Sequence, residues 1–258
     1  MFDIIFAEQE FERFLDEYDR TDEKVKLKII HTYGVVECME RICQKMNLDQ
    51  ENRDLAKLIA LLHDIGRFEQ LKRFNSFRPD TMDHAAYGVE LLFGNEQMIR
   101  RFVKDDKWDE IIKIAIAKHS DYKLEGIDDS QILLHAKLIR DADKLDNCRV
   151  KLEETIEVLL GADKETVGKT DISPRIWEYC INKEAILSCH RVSLVDYWIS
   201  YVAYFFDINF AETFSIIQEE NYADKIIHRI PYSNLETRKK MEELLRSVEE
   251  YIKERIES

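Results

Sequence analysis

Apolar residues recur at three- and four-residue spacing along most of the chain, as in "DDKWDEIIKIAIAKH" (105–119) and "LETRKKMEELLRSVEEYIKERI" (235–256). That period is the mark of helices with one face turned to a core. Breaks are expected near 19–22, 47–51, 66–83, 94–96, 120–130, 161–173 and 231–234. Three of the following segments carry start signals: Asp49, the acidic "IDDS" before 131, and "SPRIW", where Ser173 can cap and Pro174 fits the first turn. Only 7 glycines and 3 prolines punctuate 258 residues, so obligatory turns are few and the reading is all-α. The most apolar and aromatic stretch, "VSLVDYWISYVAYFFDINF" (192–210), is interrupted by Asp196 and Asp207. It reads as a buried helix that packs a core or walls a pocket, too broken to cross a membrane. Neither an internal repeat nor a low-complexity linker is visible. The chain divides most readily near 161–173, into 1–160 and 161–258.

Composition narrows the functional classes. A formal charge of -14 argues against a nonspecific nucleic-acid or anionic-membrane binder, which needs a basic field. An anionic substrate must therefore find local positive charge. Five scattered cysteines without a CxxC pair read as reduced thiols of a cytoplasmic protein. The acidic, amphipathic start, "MFDIIFAEQEFERFLDEYD", lacks the basic and apolar regions of a signal peptide.

Chemistry enters where polar residues interrupt apolar faces. In "LIALLHDIGRFEQ" (58–70) five apolar residues run straight into His63 and Asp64, and a carboxylate carried into a core is costly unless something neutralises it. At about 100° per residue, His31 shares a stripe with Leu27, Gly34, Cys38 and Ile42, while His119 continues that of Ile112, Ala115 and Ile116. His84 aligns with Gly88 and Leu91, and Asp143 with Ala136 and Ile139. Four histidines and two aspartates on inward faces cannot readily satisfy one another, whereas a divalent metal accepts several imidazoles and carboxylates at once. Ligands without cysteine favour iron, manganese, cobalt, nickel or zinc.

The order "LLHDIG", "DHAAYGVELL", "AKHSD" and "RDADKLD" resembles the HD-domain superfamily of metal-dependent phosphohydrolases over roughly residues 24–150. The resemblance implies an HD-domain helical core followed by additional C-terminal helices. Its ligands would be His31, the adjacent His63 and Asp64, and the distant Asp143. Members with two more histidines between hold two metals, which implies His84 and His119 as second-metal ligands and Asp64 as the bridge. Paired histidines and a Gly-Tyr-Pro signature, the mark of the cyclic di-GMP-cleaving subgroup, do not occur here.

The implied reaction is attack of a metal-activated water on a phosphate ester or anhydride, with a nucleotide as the small-molecule substrate. Arg67, four residues after His63, and Lys144, beside Asp143, are the nearest sequence candidates for phosphate contacts, and Asp64 is assigned to catalysis with them. Arg78 could reach the same anion, although a surface role suits it better, and Lys118 reads as solvent-facing. His135 reads as a satisfied or partly exposed residue; His190 and His228 lie outside the core with no carboxylate partner evident. Two other readings stay open: relatives with this ligand arrangement use two irons to activate oxygen, and some such domains are regulatory sensors without turnover.

Overall fold

A computed structural model describes residues 3–78 and 80–257. Among them the chain is helical, with no strand. Two compact units divide it, Met1–Asp146 and Asn147–Ser258. The division falls inside a long helix rather than at the 160/161 boundary read from the sequence.

The first unit contains α1 (Ile4–Leu15), α2 (Glu23–Lys45), α3 (Gln50–Leu62), α4 (Ile65–Phe74), α5 (His84–Phe93), α6 (Asp109–Lys118) and most of α7 (Ser130–Glu153). Aspartates start many of these helices by accepting backbone N–H groups left without partners in the first turn. Asp22 accepts from Lys24 and Val25, Asp49 from Asn52, Asp83 from Ala86, and Asp129 from Gln131 and Ile132. Phe11 and Phe14 of α1 meet Phe68 of α4 edge-on, with ring centroids 5.9 Å apart. The run Leu58–Leu62 of α3 is almost wholly buried, so the last turn of this helix has no solvent face to mark where it ends.

Two breaks differ from expectation. α3 stops at Leu62, His63 and Asp64 form a turn, and α4 follows at once. The loop expected over 66–83 is helical as far as Phe74. It ends there because Asn75 adopts the left-handed region (φ 48°) and its N–H closes on the Leu71 carbonyl. The α4–α5 crossing is very tight: a Cβ on Gly66 would stand 2.8 Å from the Gly88 nitrogen and inside contact distance of the His84 carbonyl.

The second unit contains α8 (Ile156–Leu160), α9 (Lys164–Val167), α10 (Pro174–Ile181), α11 (Leu194–Ala203), α12 (Ala211–Glu219), α13 (Tyr222–Ile227) and α14 (Leu235–Glu257). The apolar stretch 192–210 is shorter as a helix than its sequence suggests, because a 3-10 turn over Tyr204–Asp207 ends it. Ser193 caps α11 in a reciprocal box with Asp196. Asp196 is fully buried, and it accepts from the Ser173 N–H (2.9 Å), the Ser173 hydroxyl (2.6 Å) and the N–H groups of Val192 and Ser193. Cys38, Cys43, Cys148 and Cys180 are buried and Cys189 is exposed, with no disulfide among the described residues. No described helix is long and apolar enough to cross a membrane.

Candidate metal centre

The turn between α3 and α4 explains the awkward carboxylate. Asp64 occupies the N-cap position of α4 yet makes no capping hydrogen bond, so its side chain is available to point elsewhere. His31 of α2, His63 of the same turn, His84 at the first turn of α5 and His119 at the end of α6 converge on it. All five residues are at least nine-tenths buried.

Its two oxygens face different histidines. Oδ2 lies 3.3 Å from His63 Nε2 and 3.9 Å from His31 Nε2. Oδ1 lies 3.2 Å from His84 Nε2 and 3.5 Å from His119 Nε2, and those two ring nitrogens are 3.1 Å apart. Asp143 Oδ1, from α7, stands 3.0 Å from His31 Nε2 and 4.0 Å from His63 Nε2. The six residues singled out in the sequence therefore meet in one place.

The outward ring nitrogens fix the tautomers. His63 Nδ1 donates to the Ala60 carbonyl and His119 Nδ1 to the Ile116 carbonyl, each at 2.7 Å. His31 Nδ1 donates instead to the fully buried Asp146 carboxylate, at 2.6 Å. With Nδ1 carrying the proton, Nε2 of each ring presents a lone pair inward. His63 Nε2 and Asp64 Oδ1 are buried with no hydrogen-bond partner, an expensive arrangement for two acceptors unless a cation joins them. Two groups of donors fit such a cation, His31, His63 and Asp64 in one and Asp64, His84 and His119 in the other, with the ligand atoms of each within 4.8 Å of one another.

Fixed cations also bear on Asp64. Burial pushes its carboxyl upward, but the neighbouring Lys28 charge and then His63 overcome that and hold it well below the usual carboxylate range. Lys28 Nζ donates to Oδ2 at 2.5 Å, and Arg67 Nε lies 3.7 Å from Oδ1. Asp143 is likewise held low, its burial outweighed by the His31 hydrogen bond. Burial and Lys28 push His31 down, yet the Asp143 and Asp146 carboxylates facing its two ring nitrogens leave it raised overall, so a cation bound at Nε2 would take the place of a proton there. His84 is pushed down to about 4, mainly by burial and only partly offset by Asp64.

The other sequence candidates fall into place around this cluster or away from it. Arg67 donates to Gln70 Oε1 (2.7 Å) and the Phe77 carbonyl (3.1 Å) as well as flanking Asp64. Lys144 Nζ is 3.4 Å from the Arg140 carbonyl of its own helix. Arg78 is exposed and pairs with Asp80, and Lys118 pairs with Asp121. His135 is fully buried rather than partly exposed, with Nε2 3.0 Å from Asn52 Oδ1. His228 has two carboxylate partners, Asp224 at 2.8 Å and Glu242 at 3.4 Å; the first, four residues back on one helix face, was readable in the sequence. His190 pairs with the Tyr179 hydroxyl.

Three contributors were missed. Lys28 precedes His31 by three residues and Asp146 follows Asp143 by three, so each shares a helix face with a named candidate. Arg140, 2% exposed, donates to the carbonyls of Lys118, His119 and Asp121. It holds the end of α6 that carries His119, a cation at a helix C-terminus.

No curated protein and no solved structure matches the chain. A family model described as HD domain matches residues 29–148, the span that contains His31, His63, Asp64, His84, His119, Asp143 and Asp146. Residues 29–148 are thus similar to the HD domain, which is consistent with the HD-domain superfamily.

Proposed function

We propose that the protein is a metal-dependent phosphohydrolase that cleaves a phosphate ester or anhydride of a small molecule, a nucleotide by preference, in the cytoplasm. One observation carries this reading: Asp64 turns its two oxygens to two different pairs of histidines. His31, His63, Asp64 and Asp143 would hold one divalent transition metal, and Asp64, His84 and His119 a second, drawn from iron, manganese, cobalt, nickel or zinc. Such a pair supplies a water ionised near neutral pH and charge stabilisation for a phosphoryl group.

The chain's own residues do the rest. The Nδ1 bonds to Ala60, Ile116 and Asp146 keep three imidazoles in the ligating tautomer. Lys28 and Arg67 flank Asp64 on either side and take phosphate oxygens, Arg67 through its planar fork. Lys144, next to Asp143, is assigned a supporting phosphate contact. Burial of the donors keeps bulk water from competing for them.

The test is a panel of nucleoside mono-, di- and triphosphates and dinucleotides with protein loaded with manganese, cobalt or iron, beside Asp64→Asn. Phosphate release that falls by orders of magnitude in the variant supports the reading. Oxygen consumption with an organic substrate and no phosphate release would replace it with a diiron oxygenase. Absence of either activity, with metal bound, favours a regulatory domain.

A further inference from the structure

The stretch that follows α4 is tied down at more points than a connecting loop requires. Lys24 Nζ donates to the Asn75 carbonyl (2.6 Å) and to its side-chain oxygen (2.9 Å). Arg67 donates to the Phe77 carbonyl. Gln70, fully buried, accepts from Arg67 and donates to the Arg78 carbonyl and the Thr81 hydroxyl, both at 2.9 Å. Loops ordinarily lie on the surface with few such ties.

Two of the tethering or neighbouring cations also address Asp64. Lys28 Nζ, bonded to Asp64 Oδ2 at 2.5 Å, sits 5.9 Å from the centroid of the Phe77 ring. Arg67 is 3.7 Å from Asp64 Oδ1 while it holds the Phe77 backbone. Arg67 therefore holds the backbone of Phe77 while its ring lies near the Lys28 ammonium, and the residue remains only half-buried. An aromatic residue with a pinned backbone and a partly exposed side chain can do more than fill a core, because its remaining surface is apolar and costs free energy to leave in water. Through Lys28 Nζ, 2.5 Å from Asp64 Oδ2 and 5.9 Å from the ring centroid, the ring is within reach of an organic group carried by a phosphate at Asp64.

The geometry points to Phe77 as the specificity-determining residue of this site: its ring stacks on a flat aromatic group carried by the phosphate, as in a nucleoside monophosphate, while Lys28 and Arg67 take the phosphate. The assignment rests on the phosphohydrolase reading and names the substrate class within it. Stacking of a base on an aromatic side chain contributes about 1–3 kcal/mol, which corresponds to roughly 5- to 150-fold in affinity.

Calorimetric titration of the manganese-loaded protein separates the possibilities. Its ligands are orthophosphate and the non-hydrolysable phosphonate analogues of adenosine monophosphate and of glycerol 3-phosphate. The expected result is tighter binding of the adenosine compound, a loss of about tenfold in Phe77→Leu confined to that compound, and recovery in Phe77→Trp. Equal binding of the two organic ligands to the wild type, or an equal loss of both in Phe77→Leu, overturns the role of Phe77 alone. Failure of orthophosphate and both analogues to bind the metal-loaded wild type overturns the phosphohydrolase reading as well.

Discussion

At the residue scale, the histidines differ in what stands behind them. His63 and His119 lean on neutral backbone carbonyls, but His31 leans on Asp146, a buried carboxylate. A charged acceptor makes the imidazole more basic and a stronger ligand than a carbonyl does. Asp146→Asn keeps the shape and removes the charge, so it should weaken metal binding about 10- to 100-fold and leave the helical circular dichroism unchanged. Competition with a chelating dye measures this; an unchanged affinity would reduce Asp146 to a packing role. The sequence made the six inward-facing residues legible because each interrupts an apolar stripe. Lys28 escaped, since a lysine one turn before a histidine reads as a solvated side chain until the fold brings Asp64 against it.

Elements set the accuracy with which those side chains meet. The turn that presents His63 and Asp64 was not legible, because Leu58–Leu62 is buried on all sides and no proline or glycine marks the end of α3. Periodicity finds a helix by the contrast between its faces, and here there is none. The glycine that matters comes two residues after Asp64. Gly66 lets α4 approach the backbone of α5 at Gly88 and the His84 carbonyl, which brings His84 to 3.2 Å from Asp64. A methyl group at this position meets backbone, which cannot rotate away as a side chain can. Gly66→Ala should cost about 1–3 kcal/mol of stability from overpacking. In the protein that still folds, metal content should fall toward one per chain, since the strain falls on the His84 side. Denaturant midpoints and elemental analysis report the two effects separately, and a variant with unaltered stoichiometry would show that the helix shift is absorbed elsewhere.

On the scale of the whole molecule, helical content was plain from spacing and scarce glycine, but the division of the chain was not. The unit boundary at Asp146/Asn147 lies inside α7, where no composition change announces it. The second unit depends on one interior carboxylate, and so on pH. Burial pushes Asp196 upward, but the Ser173 hydroxyl and the backbone N–H groups of Ser173, Ser193 and Val192 bring it below its ordinary value. A carboxyl lowered in the folded state stabilises above its unfolded value, near 3.9, and that contribution disappears as pH falls through the lowered folded value. Asp196→Asn should therefore lose about 2–3 kcal/mol at pH 7, with a smaller loss near pH 3. Urea unfolding followed through Trp198, buried in the same helix, tests both; an equal loss at the two pH values would contradict the assigned charge.

The cysteines turn this two-unit organisation into a measurable clock. Cys189 is open to reagent, while Cys38 and Cys43 are enclosed in the first unit and Cys148 and Cys180 in the second. Burial pushes the Cys43 and Cys180 thiols up to about 12, so neither supplies thiolate while its surroundings stay closed. A brief pulse of an alkylating agent on the native protein should therefore add one mass label, at Cys189. As denaturant rises, the interior thiols should label in pairs by unit, and the order in which the pairs appear in the mass spectrum gives the order in which the units open.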